Sequence, residues 1–262
     1  MHPHHQASIH NLIALFRDEP GILAIILGGS VAKGLARADS DIDAILVVTE
    51  EKHAALSAAN RLSECVWGHC TYEGGYFDLK YTTLPYLYAL AARGSEPSRN
   101  AFASAVRLHG GDEALDRLLA AIPVFQRNEK DEKMLSFYSA LDLNAGYFWG
   151  ASVNNPYLRV RAASDIVLFG LRLLLQHSEV LFPCHKALLD TVAALASKPA
   201  GIVDKAEAFL TYLTDDAKNE FVNAILDFID YVPPADYTVP LTRFIDDNEL
   251  WWYKQRPVIA EW

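Results

Sequence analysis

Ile22-Leu23-Ala24-Ile25-Ile26-Leu27-Gly28-Gly29-Ser30, followed closely by Asp41-Ile42-Asp43-Ala44-Ile45-Leu46-Val47-Val48, carries the fold and the chemistry of this chain. Ile22 to Leu27 is an unbroken apolar run of strand length, the pattern of a strand covered on both faces. It ends in two glycines, which let the backbone pass close to a ligand with no Cβ in the way. Ser30 then reads as the N-cap of a short helix over residues 31 to 36, whose free N–H groups point back at the same spot. The product is a site for an anion, with Lys33 or Arg37 in reach to add positive charge. Glycines alone are weak evidence, since tight strand-to-helix turns use them for steric reasons.

The second run decides the matter. Asp41 and Asp43 stand two residues apart in a strand, so both carboxylates face one side while Ile42 faces the other. Like charges so placed repel unless a cation lies between them, and Ala44 to Val48 describes a buried strand that would not begin with two unpaired charges. Magnesium prefers such oxygen ligands while keeping sites for water and phosphate.

Outward from this pair, the periodicity predicts a helix over residues 9 to 17 and a helix from Thr49 to about Val66. A third strand is expected over residues 72 to 81, a helix over 84 to 93, a polar break at Gly94-Ser95-Glu96-Pro97, a strand at 106 to 108 and a helix over 113 to 122. From about Asn128 only helices follow, over residues 130–153, 158–177, 185–196, 203–213 and 216–229, broken at Pro156, Pro183, Pro199 and Pro233-Pro234. The tail from Ala235, with Trp251, Trp252 and Trp262, is too aromatic for disorder and is expected to pack onto the bundle. The fold class is therefore α+β: a mixed-sheet domain over residues 1–125, then an all-helical bundle over 126–262.

Composition narrows the partners. The formal net charge of −10 makes DNA or RNA a poor partner, because no Lys/Arg run gathers basic charge locally. No apolar run is long enough for a membrane span and the N-terminus lacks a secretory pattern, which predicts a cytoplasmic protein. Cys65, Cys70 and Cys184 read as free thiols, and His2, His4 and His5 as a flexible, charged end. Neither Gly-x-x-x-x-Gly-Lys-Ser/Thr nor Gly-x-Gly-x-x-Gly occurs.

The stretch Leu27-Gly28-Gly29-Ser30-Val31-Ala32-Lys33-Gly34 with Ser40-Asp41-Ile42-Asp43 resembles the signature of the DNA polymerase β-like nucleotidyltransferase superfamily, a Gly-Ser turn followed by Asp-x-Asp. In that family a third carboxylate comes from a neighbouring strand, and Asp78 in Tyr76-Phe77-Asp78-Leu79-Lys80 stands in the matching place. The helical second half is similar to the arrangement in small-molecule, antibiotic-type nucleotidyltransferases, without a residue motif that specifies it. The resemblance implies two Mg²⁺ ions on Asp41, Asp43 and Asp78, with an NTP held by Gly28, Gly29, Ser30, Lys33 and Ser40. The expected reaction is transfer of a nucleoside monophosphate to a small hydroxylated acceptor with release of pyrophosphate. Asp78, or a carboxylate from the helical half, is the expected general base. Transfer to a protein or RNA, and a non-catalytic nucleotide sensor or antitoxin-like protein of the same fold, are the competing readings. In the helical half Arg159, Arg161, Asp165, Arg172, His177 and Cys184-His185-Lys186 interrupt apolar faces. They are the candidate wall of an acceptor pocket formed with the first half, and Arg161 and Lys186 are the cations expected to reach the triphosphate.

Overall fold

The computed structural model describes all residues, 1–262. It divides into two compact units, Met1–Val124 and Phe125–Trp262.

The first unit is built on a five-stranded sheet of order β3-β4-β2-β1-β5. Helix α1 (Pro3–Phe16) leads into β1 (Ile22–Leu27), the short helix α2 (Gly29–Ala32) and β2 (Ile42–Val48). Helix α3 (Glu50–Ala58), β3 (Ser63–Trp67) and β4 (Tyr76–Thr82) follow, then α4 (Leu84–Arg93), α5 (Glu96–Asn100), β5 (Val106–Gly110) and α6 (Glu113–Ala121). β1 runs antiparallel to β2 and β5, β2 parallel to β4, and β3 antiparallel to β4.

Strand alternation sorts the side chains into two cores. On one face Ile42, Ala44, Leu46, Phe77 and Leu79 pack with Ile9, Leu12 and Phe16 of α1. On the other, Ala24, Ile26 and Val47 pack with Leu87 and Leu90 of α4 and Leu115, Leu118 and Leu119 of α6. Each Leu, Ile, Val or Phe among them taken from water contributes about 1.5–3 kcal/mol, and a one-residue slip of β2 is opposed because it would swap the residues of the two cores and turn Asp43 into the apolar contacts under α1. Asp43 lies on the second face with Ile45 and Val47. Register is thus what aims its carboxylate.

Several expectations are corrected. The helix from Thr49 stops at Ala58, Asn60 turns left-handed (φ +55°), and Ser63–Trp67 is a strand on the edge of the sheet. Its weak alternation, exposed and half-buried by turns, hides it from a periodicity reading, and only pairing with β4 defines it. The third strand begins at Tyr76, because the turn at Gly74 (φ +73°) comes first. Ser30 is not the N-cap of its helix; Gly28 is, and the helix is a single turn ended before Gly34. The break at Gly94–Pro97 contains the start of α5, anchored by Arg99. Its guanidinium is buried and donates to the carbonyls of Gly94 (3.1 Å), Ile122 (2.8 Å), Val124 (3.1 Å) and Ala91. The N-terminal histidines are ordered: Pro3 opens α1, and His5 is fully buried with its ring 5.1 Å from that of Tyr72. Burial, and then the neighbouring His4 and His2, hold the His5 pKa below its ordinary value.

The second unit is helical: α7 (Lys130–Leu143), α8 (Trp149–Ala151), α9 (Pro156–His177), α10 (Leu188–Ala193), α11 (Ile202–Tyr212), α12 (Asp215–Leu226), α13 (Thr238–Asn248) and α14 (Trp251–Lys254). The expected helix over 130–153 is interrupted by a π-helical turn at Asn144–Phe148, and the one over 185–196 begins as a 3₁₀ turn at His185–Ala187. From Ile166 to Gln176 α9 is buried all round and runs through the core, and the helix is in contact with α7, α11 and α12. Arg172 on α9 is buried between the rings of Phe137 (4.3 Å) and Phe182 (4.2 Å) and donates to the carbonyls of Ala260 (3.0 Å) and Trp262 (2.5 Å). The tail is thereby fastened to the bundle, with α13 on α7 and Ile259 in the core. No helix of the chain is long and apolar enough to cross a membrane.

Candidate active site

The site grows from the end of β1. Gly28 closes the strand with its N–H on the Asp43 carbonyl (3.0 Å), which ties the turn to the start of β2. Gly29 follows at φ +62°, where glycine alone is unstrained. A Cβ on Gly29 would lie 1.7 Å from Asp43 Oδ2 and 2.3 Å from its Cγ, so the Asp43 carboxylate occupies the space that the missing side chain leaves. After Gly29 the N–H groups of Ser30 and Val31 open α2, have no acceptor within the helix, and are not capped by a side chain.

Asp43 and Asp78 are direct partners across the parallel β2–β4 pair, on one face of the sheet. Asp41, one residue before β2, joins them: one carboxylate oxygen from each of Asp41, Asp43 and Asp78 lies within 4.8 Å of the others. All three are half-buried. Burial first, and then the charges of Asp41 and Asp78, push the Asp43 pKa above the usual carboxylate range, with Lys80 opposing. An all-oxygen, triply acidic set under that tension is the donor chemistry that a hard divalent cation relieves. Asp41 is oriented by Tyr76, whose hydroxyl donates to Asp41 Oδ2 (2.9 Å). That bond raises the Tyr76 pKa to about 12, so the tyrosine stays a donor at neutral pH.

A cavity of about 670 Å³ opens beside the carboxylates, lined by Gly28, Gly29, Lys33, Asp43, Asp78 and Lys80, with Tyr86 and Phe102 among its apolar walls. That volume is in the range of small-ligand sites. Lys33 and Lys80 are exposed and take part in no ion pair, so both ammonium groups are available to a ligand.

Five of the residues singled out in the sequence (Gly28, Gly29, Lys33, Asp43 and Asp78) therefore line one cavity, and Asp41 joins its carboxylates. Ser30 follows in the same turn. Ser40 differs: its hydroxyl accepts the N–H of Arg37 (2.9 Å) and its carbonyl accepts the Tyr72 hydroxyl (2.6 Å), so it braces the loop that presents Asp41. Arg37 is paired with Asp39 (3.1 Å) in solvent. Arg161 and Lys186 belong to the second unit, where Arg161 is paired with Asp165 (2.7 Å) and Lys186 is exposed. Lys80 and Tyr76 escaped the sequence reading. Parity could have found them, since both stand two residues from Asp78 in β4 and share its face.

Residues 9–84 match the family model of the nucleotidyltransferase domain, a span that takes in the glycine turn and the three carboxylates. No curated protein sequence matches the chain. Among solved structures, a nucleotidyltransferase-like protein from Exiguobacterium sibiricum 255-15 aligns over 95% of this chain and 91% of its own, with a TM-score of 0.39 and 9% identity.

Proposed function

We propose that this protein transfers a nucleoside monophosphate from an NTP to a hydroxyl of a small-molecule acceptor, with Asp41, Asp43 and Asp78 holding Mg²⁺. The observation that carries the reading is the carboxylate cluster packed against the Gly28-Gly29 turn, at the mouth of a cavity that also holds two free lysines. The Gly29 backbone and Ser30 bind the β- and γ-phosphates, and Lys33 and Lys80 balance their charge. Bound Mg²⁺ supplies neutralisation at the α-phosphate and lowers the pKa of the acceptor hydroxyl. The acceptor oxygen forms the new bond to the α-phosphorus, the bond from that phosphorus to the β-phosphate oxygen breaks, and pyrophosphate leaves with the electron pair. Asp78 takes the hydroxyl proton. A net charge of −10 favours a small acceptor over RNA.

The test is thermal melting with Mg²⁺, with each of the four NTPs, and with both together. Each alone stabilises weakly, and the pair raises Tm by several degrees at about 100 times Kd. Asp41→Asn and Asp43→Asn abolish the joint effect and leave the protein folded. Equal stabilisation by NTP with and without Mg²⁺ rejects this reading in favour of a nucleotide sensor.

A further inference from the structure

Residues Tyr76, Asp78, Lys80 and Thr82 alternate along one face of β4, and the cavity takes in Asp78, Lys80 and Thr82 but stops short of Tyr76. The carboxylates thus stand at a boundary. On the cavity flank are the glycine turn and the two lysines. On the opposite flank stands Tyr76, with Trp67 as its cross-strand partner, and the two rings are stacked at 4.4 Å and 28°. Cys65 is the partner of Asp78 and shares its face, so an exposed thiol lies beside that carboxylate, two residues along β3 from Trp67.

The aromatic pair is held rigidly on one side and is open on the other. Tyr76 is tethered through its hydroxyl to Asp41 Oδ2, which aligns its ring with the carboxylate site. Trp67 lies on that ring and is still 60% exposed, a large apolar surface turned to solvent on an edge strand. The step from this pair to Asp78 is two strand residues, roughly 6–7 Å, about the width of one sugar or aromatic ring.

Phosphoryl-group transfer places the attacking and leaving oxygens roughly in line. With the leaving phosphates on the lysine flank, the nucleophile arrives from the other flank, where Trp67 and Tyr76 stand. The geometry points to a binding platform for the acceptor: Trp67 stacks on a flat, uncharged ring of the acceptor and sets its hydroxyl beside Asp78. This rests on the transfer reading above and adds a substrate class to it, hydroxylated molecules that carry an aromatic ring.

Two probes with the same hydroxyls separate the ring from the rest: phenyl β-glucoside and methyl β-glucoside. The readout is the rate at which N-ethylmaleimide labels Cys65, resolved by peptide mass from Cys70 and Cys184, with Mg²⁺ and a non-hydrolysable ATP analogue present to fill the cavity. Phenyl β-glucoside is expected to slow labelling of Cys65 severalfold and methyl β-glucoside to leave it unchanged. Trp67→Ala should raise the concentration for half-protection by roughly tenfold, the scale of one lost ring stack, and Trp67→Phe should restore most of it. Equal protection by both glucosides, protection by neither, or an unchanged half-protection concentration in a folded Trp67→Ala protein overturns the proposal. Joint stabilisation by Mg²⁺ and nucleotide is measured on the same samples. If it is present and ring protection absent, the platform falls and the transfer reading stands. If ring protection is present without joint stabilisation, the platform stands as a ring-binding surface and the transfer reading falls.

Discussion

Gly29→Ala probes the closest contact in the site. Its added Cβ would stand 1.7, 2.3 and 2.8 Å from Oδ2, Cγ and Cβ of Asp43, on a backbone at φ +62°. The left-handed conformation costs an alanine about 1–2 kcal/mol. Rotation of the Asp43 side chain can clear the first two contacts but not the third, which involves its own Cβ, so the turn or β2 must also shift. A further cost of about 1 kcal/mol follows. The total of about 2–3 kcal/mol should lower the melting temperature of the first unit by roughly 8–12 °C. Displacement of Asp43 by about 1 Å should cost roughly a hundredfold in transfer and most of the joint stabilisation by Mg²⁺ and NTP. Scanning fluorimetry with and without Mg²⁺ and NTP measures both. A cycle with Asp43→Gly, which removes all three contacted atoms, should return a coupling of about 1 kcal/mol and leave only the left-handed cost. Gly29→Ala with wild-type melting and undiminished response to Mg²⁺ and NTP would refute the close-contact reasoning.

Because the Asp43 pKa is raised in the folded state, the folded metal-free protein binds more protons than the unfolded chain between the ordinary carboxylate value of about 3.9 and that raised pKa. Asp43 therefore lowers stability as pH rises through this window and regains it on acidification; Asp43→Asn should melt higher than wild type at pH 7 without metal, with a flatter pH dependence across that window. Lys80→Met should leave the melting temperature nearly unchanged and weaken NTP affinity by roughly tenfold or more, read by titration of the joint stabilisation. Arg99→Met should strip a charged donor from the carbonyls of Gly94, Ile122, Val124 and Ala91 and destabilise the first unit by about 3–5 kcal/mol, measured by urea unfolding.

The α+β class, four of the five strands and the acidic pair were legible in the chain because each is a local pattern. An apolar run ended by two glycines and an aspartate pair at strand spacing are set by neighbours in sequence. The same holds for the turn to helices after Asn128. β3 was not legible, since an edge strand half open to solvent carries little hydrophobic alternation and exists through its hydrogen bonds to β4. The embrace of Gly29 by Asp43 was not legible either, and the meeting of Asp43 with Asp78 entered only through the family resemblance. Those depend on the register of β2 against β4, which pairs residues 35 positions apart and is specified by the two hydrophobic cores on either face of the sheet. Lys80 and Tyr76 gained their places beside the carboxylates through that register. Ser40 and Arg37, promising in sequence, instead bond within their own loop: the short Ser40 hydroxyl satisfies the nearest backbone N–H before reaching for a ligand, and Arg37 pairs with the Asp39 carboxylate. Residue types and spacing thus named the chemistry, and long-range strand pairing, driven by burial on both faces of the sheet, assembled it.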